Sequence, residues 1–176
     1  MIAAALLLAQ VAPTAASSLA VSALFQAACV RGELRIDKTR AQFVTRKELP
    51  PVVRDLIHGG WFAASKGKVE SLKIIKITDP ASTYLVITNY QTKRPDQRNP
   101  SGSCTVVSQS IGVEDGQALL LKVNPNARLG ESEWDGPSIR QWRQYNLDDG
   151  YSLTLKSVQP NWVVLETTSF PAAKIR

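Results

Sequence analysis

A single histidine and two cysteines are too few to build a zinc site from Cys and His alone, because such a site takes four ligands. No metal centre and no bound cofactor are therefore expected. No Asn-x-Ser/Thr glycosylation acceptor occurs. Charged residues make up only 20% against 44% hydrophobic ones, which excludes an acidic disordered tail, a collagen-like repeat and a polytopic membrane protein. The 176 residues are enough for one domain with a real core and too few for two comfortable ones.

Charge is missing altogether from Met1 to Val30, and the first charged side chain is Arg31. Within that stretch Ile2 to Ala12 is aliphatic, Pro13 breaks it, and Thr14-Ala15-Ala16 offers the small residues that signal peptidase accepts. This pattern predicts a cleaved secretory signal over 1–16, followed by a single α+β domain over 17–176. Its n-region lacks Lys and Arg. An uncleaved anchor is the competing reading, but Pro13, Ser17 and Ser18 interrupt the ~20-residue apolar run that spanning requires. A third reading cuts before Cys29 and attaches a lipid there, as in bacterial lipoproteins. Gln26-Ala27-Ala28-Cys29 fits it imperfectly, since Gln26 stands where an aliphatic residue belongs.

An exported chain with two cysteines is most simply read as carrying one disulfide, Cys29–Cys104. A loop of that length is worth about 4 kcal/mol in loop-closure entropy. The same reading places the protein in the periplasm or outside the cell.

Local patterns give the fold class. Ser17 or Ser18 can cap a helix from about Leu19 to Val30, stopped by Gly32 and turning Cys29 inward. Thr45 with Glu48 has the form of a capping box, and Pro50-Pro51 suits the first turn of a second helix with Val52, Val53, Leu56 and Ile57 inside. From Val69 the period shortens to two: Leu72, Ile74 and Ile77 against Lys73 and Lys76, a turn at Asp79-Pro80, then a returning strand over 83–89. A third strand is expected over 104–111 and a helix over 114–123. Three further strands, 138–145, 151–158 and 162–168, form a C-terminal meander around turn chemistry at Asp148-Asp149-Gly150 and Gln159-Pro160-Asn161. The expected class is thus α+β, with short N-terminal helices on a largely antiparallel sheet. No internal repeat of fixed period is visible.

The net charge of +6 is unevenly spread: fourteen Lys and Arg against seven Asp and Glu up to Arg98, then seven against eight. Such a basic half can attract an anionic envelope surface or polymer, but the more ordinary reading is a solvated surface, with Lys73 and Lys76 also discouraging edge-to-edge aggregation of a strand. Lys93, Arg94 and Arg98 among prolines are the best single candidates for an anion contact. Interleaved acids at Glu33 and Asp37 and the scarcity of aromatic neighbours argue against nucleic acid.

Catalytic signals are weak. The stretch from Gly59 to Val69 fails as a phosphate-binding loop at Phe62 and Val69, and Gly130 to Trp134 lacks the second glycine of a nucleophile elbow. His58 is the one imidazole available as a general base, with Asp55 three residues earlier on the same helix face. A helix-end histidine, however, also interacts favourably with the last carbonyls without any substrate. Glu131, Glu133 and Asp135, alternating around Trp134, offer paired carboxylates of the kind a glycosidase needs, and equally fit a solvated connection or charge balance with Arg128 and Arg140. Trp134, Trp142 and Trp162 fall in the C-terminal sheet region, where large aromatics more often fill a core than present a ligand platform. The sequence thus favours an exported, non-catalytic binding module, with a small hydrolase using His58 and Asp55, or Glu131 and Glu133, as the alternative.

Overall fold

The computed structural model describes residues 12–33, 39–58, 68–91, 101–123, 125, 128–129, 139–146, 151–158 and 161–169. Helix α1 spans Ala15–Phe25 and continues into one wider π-helical stretch, Gln26–Val30. Thr14 caps it: its Oγ1 accepts from the Ser17 N–H at 3.2 Å, while Ser17 Oγ accepts from the Thr14 N–H at 3.0 Å. The helix therefore begins four residues before the expected Leu19, because Thr14 satisfies the free N–H groups as well as the serines would. Gly32, at φ +66°, ends it in the left-handed region as expected.

Strand β1 is Ala41–Phe43, followed by a 3-10 turn at Arg46–Glu48 and helix α2 over Pro51–His58. The Thr45–Glu48 box is present, with the Thr45 N–H donating to Glu48 Oε2 at 2.6 Å, but it opens only that short turn. Pro51 then starts the helix proper. Strands β2 (Lys68–Ile77), β3 (Thr83–Gln91) and β4 (Gly102–Ser108) come next, then α3 (Val113–Val123). The chain closes with β5 (Arg128–Leu129), β6 (Ile139–Asn146), β7 (Tyr151–Val158) and β8 (Trp162–Ser169). Each expected helix and strand of the α+β reading is found, with ends shifted by a few residues.

All eight strands join one sheet in the order β1-β2-β3-β4-β8-β7-β6-β5, and every pairing is antiparallel. That order reads the same outward from the β4–β8 seam. A helix followed by a four-strand meander occurs twice, α1 with β1–β4 and α3 with β5–β8, α2 being inserted between β1 and β2 in the first unit.

Register decides what each face carries, because opposed residues point the same way and neighbours along a strand point oppositely. On one face Ile75, Leu85, Cys104, Val106, Leu165, Leu155 and Leu153 form an aliphatic floor, onto which α1 presses Val21, Phe25 and Ala28 and α3 presses Leu119 and Leu120. On the other, Ile74, Tyr84, Val86, Val107, Val164, Val158 and Trp162 pack with Leu49 and Val53 from the α2 region. This corrects the expected β2 pattern of one wet and one dry face. Leu72, Ile74 and Lys76 share a face, Lys73, Ile75 and Ile77 share the other, and both faces of the sheet are covered.

The disulfide expected from the sequence is formed: Cys29 in the π-helical stretch bonds Cys104 in the centre of β4, with their Cα atoms 5.2 Å apart. The extra residue of the wide turn carries the Cys29 carbonyl to β8, where Thr167 Oγ1 donates to it at 3.2 Å. One helix end is thus tied covalently to β4 and by a hydrogen bond to the neighbouring strand.

Candidate functional site

The second sheet face divides along the strands. One part is the apolar cluster around Trp162 and Tyr84, whose rings are tilted by 44° with centroids 6.0 Å apart. Beside it lies a polar seam. The register aligns Thr88, Ser103 and Thr168 in one row across β3, β4 and β8, and Thr105, Glu166 and Thr154 in the next across β4, β8 and β7. Lys156 stands two residues beyond Thr154 on β7. All of these side chains are buried, Ser103 to 2%, Lys156 to 4% and Glu166 to 1% exposure.

Lys156 Nζ lies 3.9 Å from Glu166 Oε2, an ion pair at the outer limit of direct contact. Burying such a pair costs several kcal/mol per ion before attraction and hydrogen bonds offset it. Hydroxyls at Thr105 and Thr154, opposite Glu166 on both neighbouring strands, are the groups placed to help. Tyr90 reaches into the same region, its hydroxyl 3.2 Å from Ser103 Oγ. Burial pushes the Tyr90 phenol up to about 12; the Ser103 hydrogen bond works against this and the Glu166 charge adds to it.

These values restrict the chemistry. At neutral pH the Tyr90 phenol keeps its proton, so it can hydrogen-bond Ser103 but cannot deprotonate it. Ser103 consequently has no base in this contact. The seam is a buried set of donors and acceptors that holds the Lys156–Glu166 ion pair. Among the described residues no group of three or more His, Cys, Asp or Glu could hold a metal ion.

The candidates named from sequence fare differently. Cys29 and Cys104 are brought together. That bond corrects the lipid-anchored alternative, since the Cys29 sulfur is joined to Cys104 and is not free to carry a thioether-linked lipid. Asp55 lies exposed on α2. His58 ends that helix, with its side chain outside the described residues. Lys93, Arg94 and Arg98 lie outside them too, as do Glu131, Glu133, Trp134 and Asp135. Trp142 is described in backbone only, opposite Lys156 in the β6–β7 register. Trp162 is buried and fills the core, as large aromatics in sheets usually do.

Sequence reasoning missed Lys156, Glu166, Ser103 and Tyr90. In β7 the alternation of Thr154 and Lys156 with Leu153 and Leu155 is the usual mark of a half-wet strand, so nothing local announces that the polar side is buried. Described basic side chains are exposed along the β1, β2 and α2 segments, at Arg40, Arg46, Lys47, Arg54, Lys73 and Lys76, with Lys73 and Lys76 on opposite faces of β2. Glu48 lies among them, its carboxyl held below the ordinary range by the Thr45 N–H and hydroxyl and, less strongly, by Lys76. No helix among the described residues is long and apolar enough to cross a membrane. Compared with known proteins, the chain matches no family model, no curated sequence and no solved structure.

Proposed function

We propose that the chain is an exported, non-catalytic binding domain of the periplasm or extracellular space, released from a leader cut after Ala16, whose partner is an anionic envelope component. The observation that carries this reading is the Cys29–Cys104 bond, since such bonds form and persist in oxidising compartments and are rare in the cytosol. The uncharged stretch from Met1 to Val30 supports the same route.

Binding is favoured over catalysis because the sequence carries neither a phosphate-binding loop nor a nucleophile elbow, and its one imidazole, His58, lacks an identifiable nucleophile. The anionic partner is argued from the exposed cations of the β1, β2 and α2 segments, with Lys93, Arg94 and Arg98 adding sequence charge to the same half of the chain. Export is tested by cell fractionation under its own leader: the product belongs in the envelope or medium, and accumulation in the cytosol contradicts the proposal. For the partner, the protein should be retained on anionic vesicles at low salt and released as ionic strength rises past about 0.15 M. Retention indifferent to salt would remove the anionic partner while leaving export standing.

A further inference from the structure

We propose that cutting the leader after Ala16 does more than release the protein: the new α-ammonium group at Ser17 becomes an ionic partner of Asp115 and fastens α1 to α3. This inference rests on the export reading. It starts from a boundary in the packing. Residues Ala12 to Ala16 are exposed and Ser17 is half-buried, whereas Ser18 is the first buried side chain and Val21, Phe25 and Ala28 follow into the core. A cut after Ala16 therefore removes the Thr14 cap and leaves every buried contact of α1 in place.

What remains at the new end is a contact between two helices. Ser18 Oγ donates to Asp115 Oδ2 at 2.7 Å, from the first turn of α1 to the first turn of α3. Two helix N-termini, each carrying partial positive charge, thus meet at one carboxylate, which offsets both. In the uncut chain the Ser17 N–H donates to Thr14 Oγ1 at 3.2 Å. After the cut that acceptor is gone, and the nitrogen becomes a full positive charge one residue from the Asp115 contact.

What opposes a positive charge here is the partial positive charge of the two helix N-termini, which the carboxylates must outweigh. No charged residue lies on α1 or on β4 beneath it. On α3 the charged residues are Glu114 and Asp115 in the first turn and Lys122 in the last. Thr167 of β8 meets the far end of α1, and Glu166 beside it points to the opposite sheet face. Among the described residues, the negative charge at Ser17 comes from Asp115, supplemented by Glu114.

Intact mass of the exported protein comes first: a product beginning at Ser17 is expected, and a product retaining 1–16 overturns the processing on which the inference stands. On the cut protein, the terminal amine is then titrated by the pH dependence of its acylation. Its midpoint is expected about 0.5 to 1 pH unit above the ordinary 7.7–8.0. Asp115→Asn should lower it. Ser18→Ala, which removes the hydroxyl contact and keeps the carboxylate, should leave it raised. The melting temperature should fall as pH rises through the raised midpoint, where the ammonium loses its charge. An ordinary midpoint in the unsubstituted cut protein, or one that Asp115→Asn does not change, contradicts the ion pair while leaving export and cleavage intact.

Discussion

Single side chains set the pH behaviour of this fold. The Thr45 N–H and hydroxyl both donate to Glu48, and these bonds, with Lys76 nearby, hold its carboxyl below the ordinary 4.5. A depressed acid stabilises above its unfolded value, and that contribution disappears as pH falls through its folded value. Glu48→Gln should therefore lower the melting temperature at pH 7, and the difference from the unsubstituted protein should shrink as pH falls below the ordinary carboxylate range, read by calorimetry across a pH series. Tyr90 works in the opposite sense. Its phenol is raised to about 12, so its contribution is complete below the unfolded value near 10 and is lost as pH climbs from there. Tyr90→Phe should blunt the loss of stability in this alkaline window while giving up the Ser103 hydrogen bond at neutral pH. Glu166→Leu breaks the buried ion pair and should cost about 3–5 kcal/mol in urea unfolding. Adding Lys156→Met should recover part of that loss, because the buried cation leaves with it.

At the level of helices and strands, Gly116 marks where α3 comes closest to the sheet. A Cβ there would stand 3.0 Å from Leu155 Cδ1 and 3.3 Å from Leu165 Cδ2, both in the buried floor. Gly116→Ala gains up to about 1 kcal/mol in helix propensity and loses about 1–3 kcal/mol to overpacking. A net loss of about 1 kcal/mol is expected, measured by urea unfolding. Elements were the most legible level of this sequence. The helix at α3 could be read from Ala118 to Leu121 with Asp115 near its start, and the C-terminal meander from its two turns. The Thr45–Glu48 box and the Pro51 start were equally visible, because caps and turns depend on residues close in sequence. Lys156 and Glu166 stayed hidden for the converse reason: whether a polar strand face is wet depends on what lies over it, and that is a long-range property. The duplicated helix-and-meander topology was invisible too, since its two units are spaced unequally and only α1 and β1 are separated from β2 by the α2 insertion.

On the scale of the whole molecule, the structure is organised about a seam. Strands β4 and β8 join the two halves, and Cys104 on β4 holds the end of α1 over them. The pairing of cysteines was readable from their even count and the export-like opening, whereas their place at the centre of an eight-stranded sheet was not. Closing a 75-residue separation restricts the unfolded chain by about 4 kcal/mol, a large share of what a domain of this size has in total. That tether and the oxidising compartment proposed from it stand together, and the state of the two sulfurs in the protein as cells make it tests them most directly. The exported product should be collected without reductant, unfolded, treated with a thiol-alkylating reagent and weighed intact. Neither Cys29 nor Cys104 should take up reagent until a reductant is added, after which both should. Alkylation of both cysteines before reduction would contradict the tether and the compartment together.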